Sequence, residues 1–182
     1  MESKIVEHCA PTLAGLKTAN MFNYKYHSAD TLEQEIGLSN TVLNPKGVYV
    51  ELLKMGPQRA LIYVYRKGRL QKDLQKPGVL TLLKRYGYHS SDLRGCLEFL
   101  KVRLKESDCF PHEIGLFLDY PLLDVIGFIE QGGKNCKCCG IWKVYSNECE
   151  TQQLFARFKK CTAVYQKVFA RGRTLTQLTV AA

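Results

Sequence analysis

Three short segments carry the residues that could do chemistry in this chain. In His8-Cys9-Ala10-Pro11-Thr12, a thiol stands two residues before a proline that suits the first turn of a helix. A thiol near a helix N-terminus feels the positive end of the helix dipole, which lowers its pKa, and a neighbouring imidazolium at His8 adds to that effect. The pattern predicts a reactive thiol at Cys9. The alternative is a buried cysteine that packs the start of the helix.

The second segment places His112 and Glu113 directly after Pro111, in what the proline predicts to be the first turn of another helix. Free N–H groups at such a position bind anions readily. His112 could act as a general base or acid, and Glu113 could orient it. The spacing of a zinc-binding H-E-x-x-H motif is absent. The alternative is a capping turn before a packed helix.

The third segment is cysteine-rich and comprises Cys136, Cys138 and Cys139, with Cys149 ten residues further on. Four thiols so close together could bind a soft metal ion or act as redox groups. Their spacing differs from that of a zinc ribbon or a ferredoxin, so ordinary loop cysteines remain an alternative. No secretory signal is recognised at the N-terminus, which makes disulfides the less favoured interpretation.

Aromatic residues next to cations occur in two segments, Tyr63–Arg66 and Trp142–Tyr145. Such pairs could stack on a ring cofactor or on bases, or they could be aromatics at the edge of the core beside cations whose alkyl stems pack on them. The residues that we expect to contact a ligand are His8, Thr12, Lys17, Arg66, Tyr120, Lys143 and Tyr145.

The positive charge of the chain is concentrated in two segments. The net charge is +9, and residues 54–85 contain nine Lys or Arg against one Asp. From Thr151 to the C-terminus there are six Lys or Arg and no acid. This asymmetry favours an anionic partner, although a solvated basic face would look the same.

The elements that must position these residues follow from hydrophobic spacing and turn chemistry. The pattern predicts a β-hairpin from strands 48–54 and 59–66, with the second strand central, and a third strand at 141–145. Helices are predicted at 11–24, 31–39 with Asp30 as its cap, 70–74, 79–86, from Asp92 onward, after Pro111, after Pro121 and at 148–170. We therefore expect one α+β domain over residues 1–182, with a small antiparallel sheet of about three strands packed with helices. No segment is long and apolar enough to span a membrane, so a cytoplasmic location is expected.

The chain resembles an uncharacterised bacterial family of unknown function that is common in anaerobic Gram-positive bacteria. The matching segments are His8–Lys17, Pro111–Pro121 and Cys139–Tyr145, in the same order along nearly the whole chain. Members of this family usually carry Gly where this chain has Asp119. The resemblance implies a single domain and no known activity, and it associates the chain with flavodoxins, which are acidic proteins.

These observations leave several functions open. The first is a thiol-dependent site for a small anionic ligand or cofactor of unidentified type, with Cys9 as the thiol, His112 as its base and Glu113 as the orienting group. Whether such a site catalyses a reaction stays open. The second is a non-enzymatic basic protein that docks an acidic redox protein such as a flavodoxin. A cysteine-cluster metal protein is a further alternative, and nucleic-acid binding ranks lower because no recognised module is present.

Overall fold

The computed structural model describes residues 1–89, 92–106 and 110–181. The chain divides into two compact units. One contains Met1–Leu70 together with Lys160–Ala182 and is called the sheet unit here. The other contains Gln71–Lys159 and is called the ribbon unit. The combination of helices with antiparallel strands confirms the α+β class.

The sheet unit is built on three antiparallel strands. They are β1 (Ala19–Lys25), β2 (Val48–Met55) and β3 (Arg59–Arg66), in the order β1-β3-β2. The predicted hairpin of β2 and β3 is confirmed, and β3 is the central strand, with every residue after Arg59 buried. A central strand of β-branched and aromatic residues fits this position because both of its faces are covered.

The predicted helix over residues 11–24 is wrong. The first helix, α1, runs from Glu2 to Leu13, and the residues after it turn and enter β1. Pro11 therefore lies near the end of the helix. As a proline it has no N–H to donate to the carbonyl four residues earlier, so it interrupts the backbone hydrogen bonds of the last turns of α1. The buried residues Ile5, Cys9 and Leu13 follow helical spacing and mark the inner face of α1.

Three further α-helical segments and a short 3₁₀ helix (Asn44–Lys46) belong to the sheet unit. Helix α2 (Ala29–Leu43) is capped by Ser28, whose hydroxyl accepts the Thr31 N–H at 3.2 Å, and not by Asp30 as predicted. The C-terminal part of α8 (Glu148–Ala170) packs Tyr165, Val168 and Phe169 against the core of this unit. A short α9 (Leu175–Leu178) follows and begins with a capping box formed by Thr174 and Gln177.

The ribbon unit is mainly helical. Helix α3 (Lys67–Leu74) enters it and α8 leaves it, and between them lie α4 (Pro77–Arg85), α5 (Leu93–Glu106), α6 (Ile114–Phe117) and α7 (Leu122–Glu130). Asp92 caps α5 as predicted, since its Oδ1 accepts the Gly95 N–H at 2.9 Å. Pro121 stands at the N-cap position of α7, as expected.

The predicted third strand at 141–145 is wrong as a member of the main sheet. Its residues form part of a separate two-stranded ribbon, in which β4 (Cys138–Cys139) pairs with β5 (Lys143–Val144). The third strand of the main sheet is β1, which the sequence pattern had assigned to a helix. Within the described ranges, no helix has both the length and the apolar character needed to cross a bilayer.

Candidate functional site

Cys9 lies inside α1 and not in front of a helix. Its side chain is 0% exposed. Burial raises the pKa of the thiol well above its ordinary value, and the charge of Lys17 offsets only part of that effect. The predicted activation by a helix N-terminus is therefore wrong, because the helix begins seven residues earlier at Glu2. A buried, protonated thiol does not favour nucleophilic chemistry.

The neighbours of Cys9 take part in local packing. The His8 ring stacks on Phe22 with ring centroids 5.2 Å apart, and its Nε2 lies 3.6 Å from Glu7 Oε1. The Thr12 hydroxyl donates to Asn20 Oδ1 at 2.7 Å. Lys17, expected to contact an anion at the surface, is only 2% exposed. These contacts join α1 to β1 and the turn between them.

Arg66 is committed to backbone carbonyl groups. Its Nε donates to Thr12 O at 2.7 Å, and its Nη2 donates to Leu13 O at 2.7 Å and to Val180 O at 2.8 Å. The residue is 3% exposed, and burial lowers the pKa of the guanidinium. Arg66 thus fastens the end of α1 and the C-terminal segment to β3. It stabilises the fold where the sequence predicted a ligand contact.

His112 and Glu113 point to different surroundings. Glu113 is 0% exposed, and its Oε1 accepts Arg103 Nε at 2.9 Å and the Tyr88 hydroxyl at 3.3 Å. Its other oxygen, Oε2, is buried and has no hydrogen-bond partner among the described residues. His112 is exposed and lies edge-on to Phe128, with centroids 4.9 Å apart. None of the described hydrogen bonds joins the two residues, so Glu113 does not orient His112 here.

The partners of Glu113 are not evident from the sequence. Arg103 and Tyr88 lie ten and twenty-five residues away along the chain, and neither belongs to a recognisable motif. The Arg103 guanidinium also lies 5.6 Å from the centre of the Tyr86 ring. Cys9 belongs to the sheet unit, whereas His112 and Glu113 belong to the ribbon unit. Their assignment as one catalytic group stays a prediction.

A buried carboxylate organises the β4–β5 ribbon. Asp124 accepts the Trp142 indole N–H at 2.8 Å, the Tyr145 N–H at 2.8 Å and the Ser146 N–H at 2.7 Å. Burial by itself would raise its pKa, but these hydrogen bonds outweigh burial and lower it. Trp142 also stacks on Tyr120, with ring centroids 4.6 Å apart. Tyr120 therefore packs against the ribbon.

Glycines in the recognised segments lie where side chains approach closely. A Cβ atom on Gly140 would collide with the Phe155 ring, and one on Gly115 would lie 2.8 Å from a Val125 methyl carbon. Asp119 has φ of +63°, in the region of backbone conformation that favours glycine. The glycine that the family resemblance implies at this position would fit this geometry. Much of the recognised pattern therefore reflects packing.

The four cysteines of the predicted metal cluster do not form a ligand group. In the described part of the chain, no three His, Cys, Asp or Glu residues lie together in a way that could hold a metal ion. Cys139 and Cys149 are exposed, while Cys136 and Cys138 are half-buried.

Lys143, which the sequence predicts to contact a ligand, makes contacts within the ribbon unit. Its ammonium donates to Gly133 O at 2.6 Å and lies 5.9 Å from the Phe128 ring centre.

The C-terminal part of α8 carries a row of cations that face solvent. Lys160, Val164, Lys167 and Arg171 follow one another at intervals of four, three and four residues, which places them along one side of the helix and its end. We call these four residues the basic stripe. All four are exposed, and Val164 is 48% exposed.

The cations of the basic stripe have no partner in the described structure. Lys160, Lys167 and Arg171 make no ion pair or side-chain hydrogen bond within residues 1–89, 92–106 and 110–181. The two acids of α8, Glu148 and Glu150, lie in its first turn, ten or more residues before Lys160, and no acid occurs after Glu150. Tyr165, Val168 and Phe169 hold the opposite side of the helix on the core of the sheet unit. The stripe is therefore a fixed, uncompensated row of positive charge.

Fold and surface together define an α+β protein with a buried thiol, a two-stranded ribbon that is hydrogen-bonded to Asp124, and the basic stripe on α8. A family model described as "Protein of unknown function (DUF3793)" matches residues 5–179. The chain belongs to this family. The search of curated proteins and the search of solved structures give no match.

Proposed function

We propose that this protein is a non-enzymatic binding protein that docks an acidic protein through the basic stripe. The observation that carries the proposal is the row formed by Lys160, Lys167 and Arg171, which is exposed and has no acidic neighbour along α8. A charge that is compensated within its own fold gains little from a partner. The charges of the basic stripe have no acidic partner in the described structure, so an approaching anionic surface is attracted to them without competition from an internal ion pair.

The electrostatics of the whole chain support the same conclusion. The net charge of +9 attracts an acidic partner over distances of about a Debye length, roughly 10 Å at 0.1 M salt. Of the nine cations in residues 54–85, only Arg66 is buried, so this segment contributes to the field as well. Steering of this kind raises association rates and makes them dependent on ionic strength.

Val164 favours a protein over a nucleic acid as the partner. It lies in the middle of the basic stripe and is half exposed, so the stripe has an apolar centre between charged ends. Protein interfaces commonly combine an apolar centre with a polar rim. A phosphate backbone offers no apolar group to match it. The stripe spans twelve residues from Lys160 to Arg171, and eleven helical rises correspond to about 17 Å.

The test is a binding titration of the full chain with an acidic flavodoxin, the partner class associated with the family resemblance. Titrations at about 0.01 M and about 1 M salt change the Debye length from roughly 30 Å to roughly 3 Å. We expect binding at low salt that is lost at high salt. Absence of binding at low salt, an affinity that does not respond to salt, or binding to a DNA duplex in place of the flavodoxin would each contradict the proposal.

A further inference from the structure

The β4–β5 ribbon contains an irregularity that changes which cysteines share a side. Cys138 pairs with Val144, and Cys139 pairs with Lys143. The Lys137 N–H also donates to Val144 O, at 2.8 Å. Two successive residues, Lys137 and Cys138, therefore face a single residue of the opposite strand, which is the arrangement of a β-bulge.

The bulge brings Cys136 to the same side of the ribbon as Cys139. In a regular strand, residues three apart point to opposite faces. The extra residue in the bulge moves the alternation by one place, so Cys136 and Cys139 point the same way, while Cys138 points to the other side. Tyr145 shares this side, because it lies two residues after Lys143, the partner of Cys139.

The Tyr145 hydroxyl supports this placement independently. Its oxygen is buried and has no hydrogen-bond partner among the described residues. Burial raises the pKa of the phenol, and the neighbouring Cys136, Asp124 and Cys139 raise it further. Both thiols therefore lie within electrostatic range of one phenol that still has its proton to donate.

We propose that Cys136 and Cys139 are a redox-active dithiol that reacts with small disulfides. Cys139 is exposed and Cys136 half-buried, so a reagent can reach the pair, and their spacing is that of a C-x-x-C motif. Tyr145 is a positioning residue, whose hydroxyl proton is available to a neighbouring thiolate. The pair lies in the ribbon unit and does not depend on the docking proposal.

The reaction is thiol–disulfide exchange with a low-molecular-weight disulfide. The thiolate of one cysteine attacks a sulfur of the small disulfide, whose S–S bond breaks and releases one small thiol. The second cysteine then attacks the mixed disulfide, forms the Cys136–Cys139 bond and releases the second small thiol. Two electrons pass from the protein dithiol to the small disulfide. The two protons of the dithiol end on the two released small thiols.

The test exposes the reduced full-length protein to oxidised glutathione without oxygen, blocks the remaining thiols with N-ethylmaleimide, and maps the disulfides by peptide mass spectrometry. We expect one intramolecular disulfide between Cys136 and Cys139. Cys138→Ser and Cys149→Ser should form it as the wild type does. Cys136→Ser and Cys139→Ser should each stop at a mixed disulfide with glutathione. Fluorescence of Trp142, the only tryptophan, checks that each variant is folded.

A different map overturns the proposal. Mixed disulfides alone in the wild type, or a bond that includes Cys138 or Cys149, would show that Cys136 and Cys139 are not a pair. Tyr145→Phe provides a second measurement, because it removes the available proton while keeping the ring. We expect it to slow the exchange several-fold without changing the disulfide map. An unchanged rate would remove Tyr145 from the site.

Discussion

Trp142 donates its indole N–H to Asp124 Oδ2 over 2.8 Å, and the other oxygen of the same carboxylate accepts two backbone N–H groups of the ribbon. This buried side chain therefore fixes both the aromatic ring and the strand that follows it. Since Trp142 is the only tryptophan, its fluorescence reports directly on whether the ribbon is in place.

Asp124→Asn should destabilise the protein by about 2–3 kcal/mol, because an amide keeps the size of the side chain but loses the charge that strengthens three hydrogen bonds. Urea unfolding followed by Trp142 fluorescence measures this change. Glu130→Gln removes the charge of an exposed carboxylate in the same helix and should change stability by less than about 0.5 kcal/mol. Equal effects of the two substitutions would contradict the assigned role of Asp124.

The contribution of Asp124 should also depend on pH. Its pKa is lowered in the folded state, so the stabilisation is fully present above the unfolded value of about 3.9 and is lost as the pH falls through the folded value. We therefore expect the stability difference between the wild type and Asp124→Asn to be constant near neutral pH and to shrink below about pH 4. A difference that grows on acidification would contradict the direction of the shift.

Arg66→Gln should cost about 2–4 kcal/mol, since three backbone carbonyl groups lose their charged donor at a site that is buried. Arg59 lies at the exposed start of the same strand, and Arg59→Gln is the matched control. If Arg66 served a ligand, its substitution would abolish binding of that ligand and leave the free energy of unfolding near that of the control.

Cys9 should be unreactive in the folded protein. Its thiol is inaccessible, so a disulfide reagent cannot reach it. Burial also raises the pKa of the thiol, so the reactive thiolate does not form near neutral pH. We expect Ellman's reagent to modify Cys139 and Cys149 rapidly and Cys9 only after urea is added, with peptide mapping to identify each site. Modification of Cys9 at the rate of Cys149 would restore it as a candidate nucleophile.

Sequence reasoning succeeded where local pattern and tertiary packing agree. The predicted span of α8 from Glu148 to Ala170 agrees with the structure, and the β2–β3 hairpin lies where turn residues separate two runs of β-formers. The pattern between residues 11 and 24 misleads, because Pro11 suits a helix start but lies in the last turn of α1. The spacing of Ile5, Cys9 and Leu13 is that of a helix that begins before Pro11, and the structure ends this helix at Leu13. Proline alone does not tell a helix start from a helix end.

The candidate sites depended on contacts that spacing does not encode. Residues 151–173 were predicted to be basic, and the structure adds that Lys160, Lys167 and Arg171 share one side of a helix. Sequence gave no sign that Asp124 binds Trp142 or that a bulge follows Cys136, since both depend on how the ribbon pairs. Adjacency along the chain pairs His112 with Glu113, whereas in the structure His112 is exposed and Glu113 is buried.

The most direct measurement compares two triple variants in the flavodoxin titration at low salt. Lys160→Gln, Lys167→Gln and Arg171→Gln remove the cations of the basic stripe. Lys25→Gln, Lys105→Gln and Lys134→Gln remove as many exposed cations elsewhere and so give the same net charge. At roughly 0.2–1 kcal/mol for each lost pair, the stripe variant should bind about tenfold more weakly than the control variant. Equal affinities would show that overall charge, and not the stripe, determines binding, and would contradict the proposed docking surface.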